Sequence, residues 1–209
     1  MKIAIIGSGV LAQHITHYAE VDLSYDVVGY FNDFIEINTL VNNLPVLGKV
    51  SDILTKYKNG EFDALVIGIG YKHFEFRASV FEEYKGVIPF ANIIHPSCYL
   101  DSSVVLGEGV VLFPKSILDV NVNVGDNVLI NIGCVIAHDT SIAKHSFLSP
   151  GVTLAGFINI GEKCNIGINT TIIDNITVCN ETQTGGGTVV IKNIVKKGLY
   201  VGNPQRFIK

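Results

Sequence analysis

The chain has no tryptophan, one methionine, which is its first residue, and charged side chains at only 16% of its 209 positions, against roughly 25% in ordinary soluble proteins. Hydrophobic residues reach 48% and mean hydropathy is +0.39, yet no run approaches the roughly 18 apolar residues that a membrane-spanning helix needs. The opening MKIAIIGSGV meets glycine after one strand's length of apolar residues, so no secretory leader is expected and the cytoplasm is the default location. Four cysteines occur without a CxxC pair or a Cys/His cluster, which argues against a metal site or a disulfide framework. A net charge of −4, with no broad basic excess, argues against nucleic-acid binding. What remains is an apolar mass of Ile, Val and Leu with 21 glycines, a composition of β-structure and many turns.

Charge is unevenly placed. Up to Glu181 ten basic residues face nineteen acidic ones, a net of −9; beyond it Lys192, Lys196, Lys197, Arg206 and Lys209 give +5. Such an end is either a solvated surface or a local site for a small polyanion such as a phosphorylated cofactor.

The dominant feature is a six-residue beat. Steps of six from Ile94 reach Leu100, Leu106, Leu112, Leu118, Val124, Ile130, Ile136, Ile142, Leu148, Leu154, Ile160, Ile166, Ile172 and Val178, all Ile, Leu or Val. Fifteen such hits in succession have a chance probability of roughly one in a million. Four places after each hit stands a second apolar or small residue, from Cys98 and Val104 to Ile176 and Thr182. Neither a period of 3.6 nor one of 2 keeps step with six. A parallel β-helix does: the first and fifth residues of each unit point inwards, and three units close one triangular turn of 18 residues, about five turns in all. Gly107, Gly125, Asn127, Gly133, Gly161, Asn165 and Gly167 suit corners that need tight bends or positive φ. Cys98, Cys134 and Cys164 fall in the inward fifth slot, where they are expected as buried fillers.

Residues 1–93 read as a separate α/β module. Lys2–Ile6 is a buried strand, Gly7-Ser8-Gly9-Val10-Leu11-Ala12 a GxGxxA turn into a helix from Val10, and Asp33 lies 21 residues beyond Ala12, about where a ribose-binding acid sits in a dinucleotide fold. Strands near Asp26–Phe31, Ala64–Ile69 and Pro89–Ile93 and a helix over Lys72–Tyr84 make one mononucleotide-sized half, too little for a dehydrogenase. Gly7, Gly9 and Asp33 are thus expected to contact a nucleotide, or the glycines merely to permit the turn.

Of six histidines, His14, His17, His73 and His95 read as surface, capping or core residues, and His145 as an exposed residue in an outward fourth slot. His138 stands in the third slot of its unit beside Asp139; an adjacent carboxylate orients an imidazole and stabilises its protonated form. Position 156 is one turn of 18 residues further on, about 4.8 Å away along the coil, and is Gly156, whose N–H is free to meet a developing oxyanion beside the base.

The unbroken hexapeptide run, Gly185-Gly186-Gly187 and the closing Val201-Gly202-Asn203-Pro204 resemble the left-handed β-helix acyltransferases. With the N-terminal segment, the whole chain resembles their sugar O/N-acetyltransferase subfamily. The resemblance implies a left-handed coil over 94–187, a nucleotide-sugar module over 1–93, a tail over 188–209 contributing to a coenzyme A site, acetyl-CoA as co-substrate without a metal, and a cytoplasmic homotrimer with active sites between subunits. It implies His138 as general base with Asp139 and Asn131, Gly156 as oxyanion donor, and coenzyme A contacts at Gly156, Ile168 and Gly186; the basic tail adds Lys192, Lys197 and Arg206 as phosphate partners. The subfamily's GxGGHG turn and acidic pair appear here as Val10, Leu11, Ala12 and Asn32-Asp33, and a second histidine is replaced by Phe147. The activity implied is acetylation of the amine of a nucleotide-linked 4-amino-6-deoxy sugar for surface glycan synthesis. A sugar O-acetyltransferase of the sialic acid type and a non-catalytic sugar-binding coil are the alternatives.

Overall fold

A computed structural model describes all 209 residues and divides them into two units, Met1–Ile93 and Ile94–Lys209. In the first, the apolar run Ile3–Ile6 is fully buried as the middle of a five-stranded sheet: β1 (Lys2–Ile6), β2 (Asp26–Phe31), β3 (Leu40–Val41), β4 (Leu44–Gly48) and β5 (Ala64–Ile67), in the order β3-β4-β2-β1-β5. Helices α1 (Val10–Val21), α2 (Ile53–Lys58) and α3 (Phe74–Tyr84) complete it. Strand β1 pairs in parallel with β2 and β5, so the connection leaves β1 on both sides and the chain reverses its winding there, the place where open α/β sheets bind ligands. The helix expected from Lys72 starts at Phe74, after a 3₁₀ turn over Tyr71–His73. The strand expected over Pro89–Ile93 shrinks to a bridge between Phe90 and Leu65, because Pro89 has no N–H to extend the ladder, and Ile93 instead begins the strand Ile93–Ile94 of a coil sheet. The hairpin β3–β4 turns on Asn42-Asn43, both at positive φ, the conformation of a two-residue type I′ turn.

The second unit is a parallel β-helix. Two-residue strands occupy the sixth and first slots, and each pairs in parallel with the strand 18 residues later: Val135–Ile136 with Thr153–Leu154, Ser141–Ile142 with Asn159–Ile160, Phe147–Leu148 with Asn165–Ile166. Three flat sheets result, and first- and fifth-slot side chains fill the interior. The segment after residue 187 joins this unit through strands Val189–Val190, Gly198–Val201 and Arg206–Phe207.

Every sixth residue from Gly109 to Gly187 lies in the left-handed region, with φ between 52° and 69°. This is the fourth slot, and it holds Lys, Asn, Asp, His, Glu and one Phe as well as Gly. Of the residues expected at corners with tight bends or positive φ, Asn127 and Gly133 take positive φ, while Gly107, Gly125, Gly161 and Gly167 are glycine for close approach: a Cβ at Gly125 would stand 2.8 Å from Lys144 N, and one at Gly161 2.5 Å from Asn180 N. They admit the backbone of the next turn. Asn165, also expected at a corner, lies in a strand.

The fifth slot has a chemistry of its own. Ser116, Cys134, Ser146 and Cys164 donate to the carbonyls of Asn131, Ser149, Gly161 and Cys179, each 15 residues on, at 2.8, 3.3, 2.7 and 3.2 Å. A small side chain with a donor thus ties one turn to the next, so the cysteines are weak hydrogen-bond donors as well as fillers. Burial pushes the Cys134 thiol up to about 11 and that of Cys164 to about 12; Cys98 is only half-buried, as is Cys179. In the native protein at pH 8, a thiol reagent is therefore expected to modify Cys98 and Cys179 at most. Cys134 and Cys164 should react only after unfolding, since the thiolate is the nucleophile.

Candidate active site

Column by column, the coil brings chemistry to one corner, between the sheets that contain Val135–Ile136 and Ser141–Ile142. Its third-slot column reads Val120, His138, Gly156, Asp174 and its fourth-slot column Asn121, Asp139, Phe157, Asn175. The turns are pinned by Asp139 N–H to Val120 O, Phe157 N–H to His138 O and Asn175 N–H to Gly156 O, at 2.9, 3.1 and 3.1 Å. Aspartate tolerates the left-handed corner, and from there Asp139 Oδ2 meets His138 Nδ1 at 2.9 Å. Its other oxygen accepts Asn121 Nδ2–H at 3.0 Å. The bond from His138 and then that from Asn121 hold the Asp139 carboxyl below its ordinary range, so it is ionised at neutral pH and only accepts. The proton therefore sits on His138 Nδ1, leaving the Nε2 lone pair beside Gly156 unbonded and available as a base. A depressed carboxylate pKa keeps this arrangement intact at neutral pH and loses it as pH falls through that lowered value.

The ring lies against Gly156. A Cβ there would be 2.6 Å from His138 Cε1, 2.8 Å from Nε2 and 3.2 Å from Nδ1, so only glycine leaves the imidazole its place. The Gly156 carbonyl is bonded to Asn175 N–H, while its own N–H donates to no group of the chain. Phe157 stands edge-on to His138, ring centroids 5.1 Å apart at 87°. Asn121 and Phe157 escaped the sequence reading, although each is one 18-residue step from Asp139. His145, expected to be exposed, is buried: its Nδ1 accepts Asn127 Nδ2–H at 3.0 Å, one turn below.

Ile168 and Gly186 stack on each other at the next corner, where a Cβ on Gly186 would be 2.9 Å from Ile168 Cγ2. Asn131 belongs to that corner too, its Oδ1 accepting Ile132 N–H at 2.8 Å. One whole sheet, six residues or up to about 20 Å of chain, separates these residues from His138 within a single coil. Phe147 is buried on the sheet opposite the His138 corner. In the basic tail Lys197 pairs with Glu181 at 2.7 Å and Lys196 lies over the Phe207 ring at 4.0 Å; Lys192 and Arg206 are exposed. No three His, Cys, Asp or Glu side chains converge as a metal site would require.

The N-terminal unit holds a pocket of about 410 Å³ at the carboxyl ends of β1, β2 and β5, lined among others by Gly7, Gly9, Asp33, Phe34, His73 and Phe76. Gly7 has φ +92° and turns the chain from β1 so that α1 presents its first N–H groups there. The small residue that closes helix on sheet is Ala12, whose Cβ lies 2.6 Å from where one would stand on Gly68. Asn32 spends its side chain on the loop, bonding Ser8 Oγ and Phe34 N–H, both at 2.8 Å. Asp33 Oδ1 accepts Val50 N–H at 2.8 Å, and Phe34 is left 95% exposed at the rim.

Residues 121–156 match the family model described as bacterial transferase hexapeptide (six repeats), and residues 2–84 match the PglD N-terminal domain. Perosamine N-acetyltransferase from Caulobacter crescentus, solved as a histidine variant with CoA and GDP-perosamine, is similar over 100% of this chain and 97% of that one, at 25% identity and TM-score 0.93. From end to end the chain is similar to a left-handed β-helix sugar acetyltransferase. Two further members of this fold are the acetyltransferase domain of PglB from Neisseria gonorrhoeae, solved with acetyl coenzyme A (24% identity, TM-score 0.90, covering 99% of this chain and 98% of that one), and WeeI from Acinetobacter baumannii (22%, 0.85, 100% of both). No protein of curated function matches by sequence. The coil is left-handed, and its corner at His138 carries an imidazole paired with a carboxylate. No helix is long and apolar enough to cross a membrane.

Proposed function

We propose that the chain transfers acetyl from acetyl-CoA to the amine of a nucleotide-linked 4-amino-6-deoxy sugar. The observation that carries this reading is the His138 corner: an imidazole held at Nδ1 by an ionised Asp139, with its Nε2 close to Gly156, whose N–H is unspent. The sugar amine attacks the thioester carbonyl and gives its proton to His138 Nε2; the Gly156 N–H stabilises the oxyanion. The C–S bond then breaks and the imidazolium proton goes to the departing thiolate. No covalent acyl-enzyme is needed, and the buried, protonated Cys134 and Cys164 offer no nucleophile. Surface glycan synthesis in the cytoplasm is the setting this chemistry suits.

The separation of the two corners supports a homotrimer with shared sites. A three-fold axis parallel to the coil sets one subunit's His138 corner against its neighbour's Asn131, Ile168 and Gly186, where coenzyme A lies, with Lys192 and Arg206 as phosphate partners and Lys197 in exchange for Glu181. Mixing His138→Ala chains with chains blocked by Gly186→Phe should restore about a quarter of the sites, by random assembly around the ring; no recovery in mixed trimers contradicts the shared site.

The nucleotide occupies the N-terminal pocket, its phosphates at Gly7, Gly9 and the start of α1, its ribose at Asp33 and its base on the exposed Phe34. Base–aromatic stacking is worth about 1–3 kcal/mol, so Phe34→Ala should raise KM for the nucleotide sugar about tenfold and leave kcat unchanged. Free-thiol release from acetyl-CoA, measured with UDP-, dTDP- and GDP-linked 4-amino sugars and with sialic acid, tests the function. Release with an amino sugar supports it. Release with the hydroxyl acceptor alone, or with none, contradicts it.

A further inference from the structure

Fourteen corner residues from Gly109 to Gly187 share the left-handed conformation, and thirteen are glycine or polar. The exception is Phe157, at φ 58°. A bulky apolar side chain in this region clashes with its own backbone and is an outlier that the surrounding structure must hold. Within its own chain Phe157 does not recover that cost by burial, since 52% of it is exposed. Its one aromatic partner is His138, met edge-on at 5.1 Å, and its N–H is bonded to the His138 carbonyl at 3.1 Å. Lys115, Lys163 and Glu181 carry a Cβ in the same region, but only at Phe157 is the side chain an aromatic ring, exposed and in contact with the base, and that points to function.

Around His138 three constraints close. Asp139 holds Nδ1 from the same corner, the Gly156 backbone leaves no room beyond the ring on its side, and Phe157 stands across the ring one turn above Asp139. With 47% of the His138 side chain exposed, the hydrogen bond alone permits the imidazole to swing or to flip its nitrogens. We propose that Phe157 is a positioning residue: its ring blocks the flip of His138 and keeps Nε2 aimed at the acceptor. This inference rests on the acetyl-transfer reading only for the consequence to turnover; the ordering of the imidazole is a property of the free protein.

The two are read separately with Phe157→Gly, Phe157→Tyr and His138→Ala. Glycine is at home at φ 58°, so Phe157→Gly should melt no lower than the wild type. In nitrogen-detected NMR of the free protein, the His138 signals, identified by their loss in His138→Ala, should show one tautomer with the proton on Nδ1. Phe157→Gly should show both tautomers in exchange, and Phe157→Tyr, which restores the ring, should show one. With acetyl-CoA and an accepted amino sugar, Phe157→Gly should lose about tenfold in kcat with KM for acetyl-CoA within twofold, and Phe157→Tyr should recover most of it. A single Nδ1–H tautomer or wild-type kcat in Phe157→Gly overturns the proposal. So does a melting temperature that falls with its activity, which would mark a structural role. If the tautomers respond as stated while no amino sugar is acetylated, the positioning role stands and the substrate reading fails.

Discussion

The His138→Ala protein is expected to fold as the wild type does, bind acetyl-CoA with nearly unchanged affinity, and turn over about 10²–10⁴ times more slowly, the range that general-base catalysis supplies. Folding survives because the lost side chain is half in solvent at a corner, while the turn is held by the backbone bonds of Asp139, Phe157 and Asn175. Coenzyme affinity survives because the backbone groups assigned to it stand at Ile168 and Gly186, a full sheet away in the same coil. Thiol-release kinetics with calorimetric binding of acetyl-CoA checks both halves, and substantial residual turnover removes His138 from the reaction.

Gly156→Ala is expected to cost about as much, although it adds only one methyl group. Gly156 is outside the left-handed region, so alanine suits its backbone and the fold should hold. The methyl would lie 2.6–3.2 Å from three atoms of the imidazole, closer than packed atoms approach. The ring is the part that is free to move, and its displacement pulls Nδ1 from Asp139 and turns Nε2 away. A misplacement of about 1 Å at a reacting group costs on the order of 10²-fold. The loss should appear in kcat, with a crystal structure showing His138 in a new rotamer. Wild-type kcat in Gly156→Ala would mean that the ring does not act from where it is seen.

How much of this was legible in the sequence depends on whether a feature repeats. The beat from Ile94 to Val178 carried the coil, its interior and the stacking of Gly156 on His138, because an 18-residue turn converts counting into contact. The left-handed slot was legible only in part: Asn127 and Gly133 marked it, whereas lysine, histidine, glutamate and phenylalanine, which also occupy it, carry no sequence signal for positive φ. Asn121 and Phe157 could have been found by stepping 18 residues either way from Asp139. His145 looked exposed because its slot faces outwards; the ladder with Asn127 that buries it is a pairing between turns. Strands β3 and β4 were missed because they are two and five residues long, too short to show a period. That His138 and Ile168 occupy different corners emerges only when slot and sheet are read together, and the proposed shared site rests on this separation.

Acetyl-CoA labelled in its acetyl group, mixed rapidly with excess enzyme and an amino sugar and quenched within one turnover, tests direct transfer by His138 most sharply. Label should pass to the sugar amine with none on the protein, and His138→Ala should leave it on the coenzyme. Label on the protein, or transfer at the wild-type rate without His138, would contradict it.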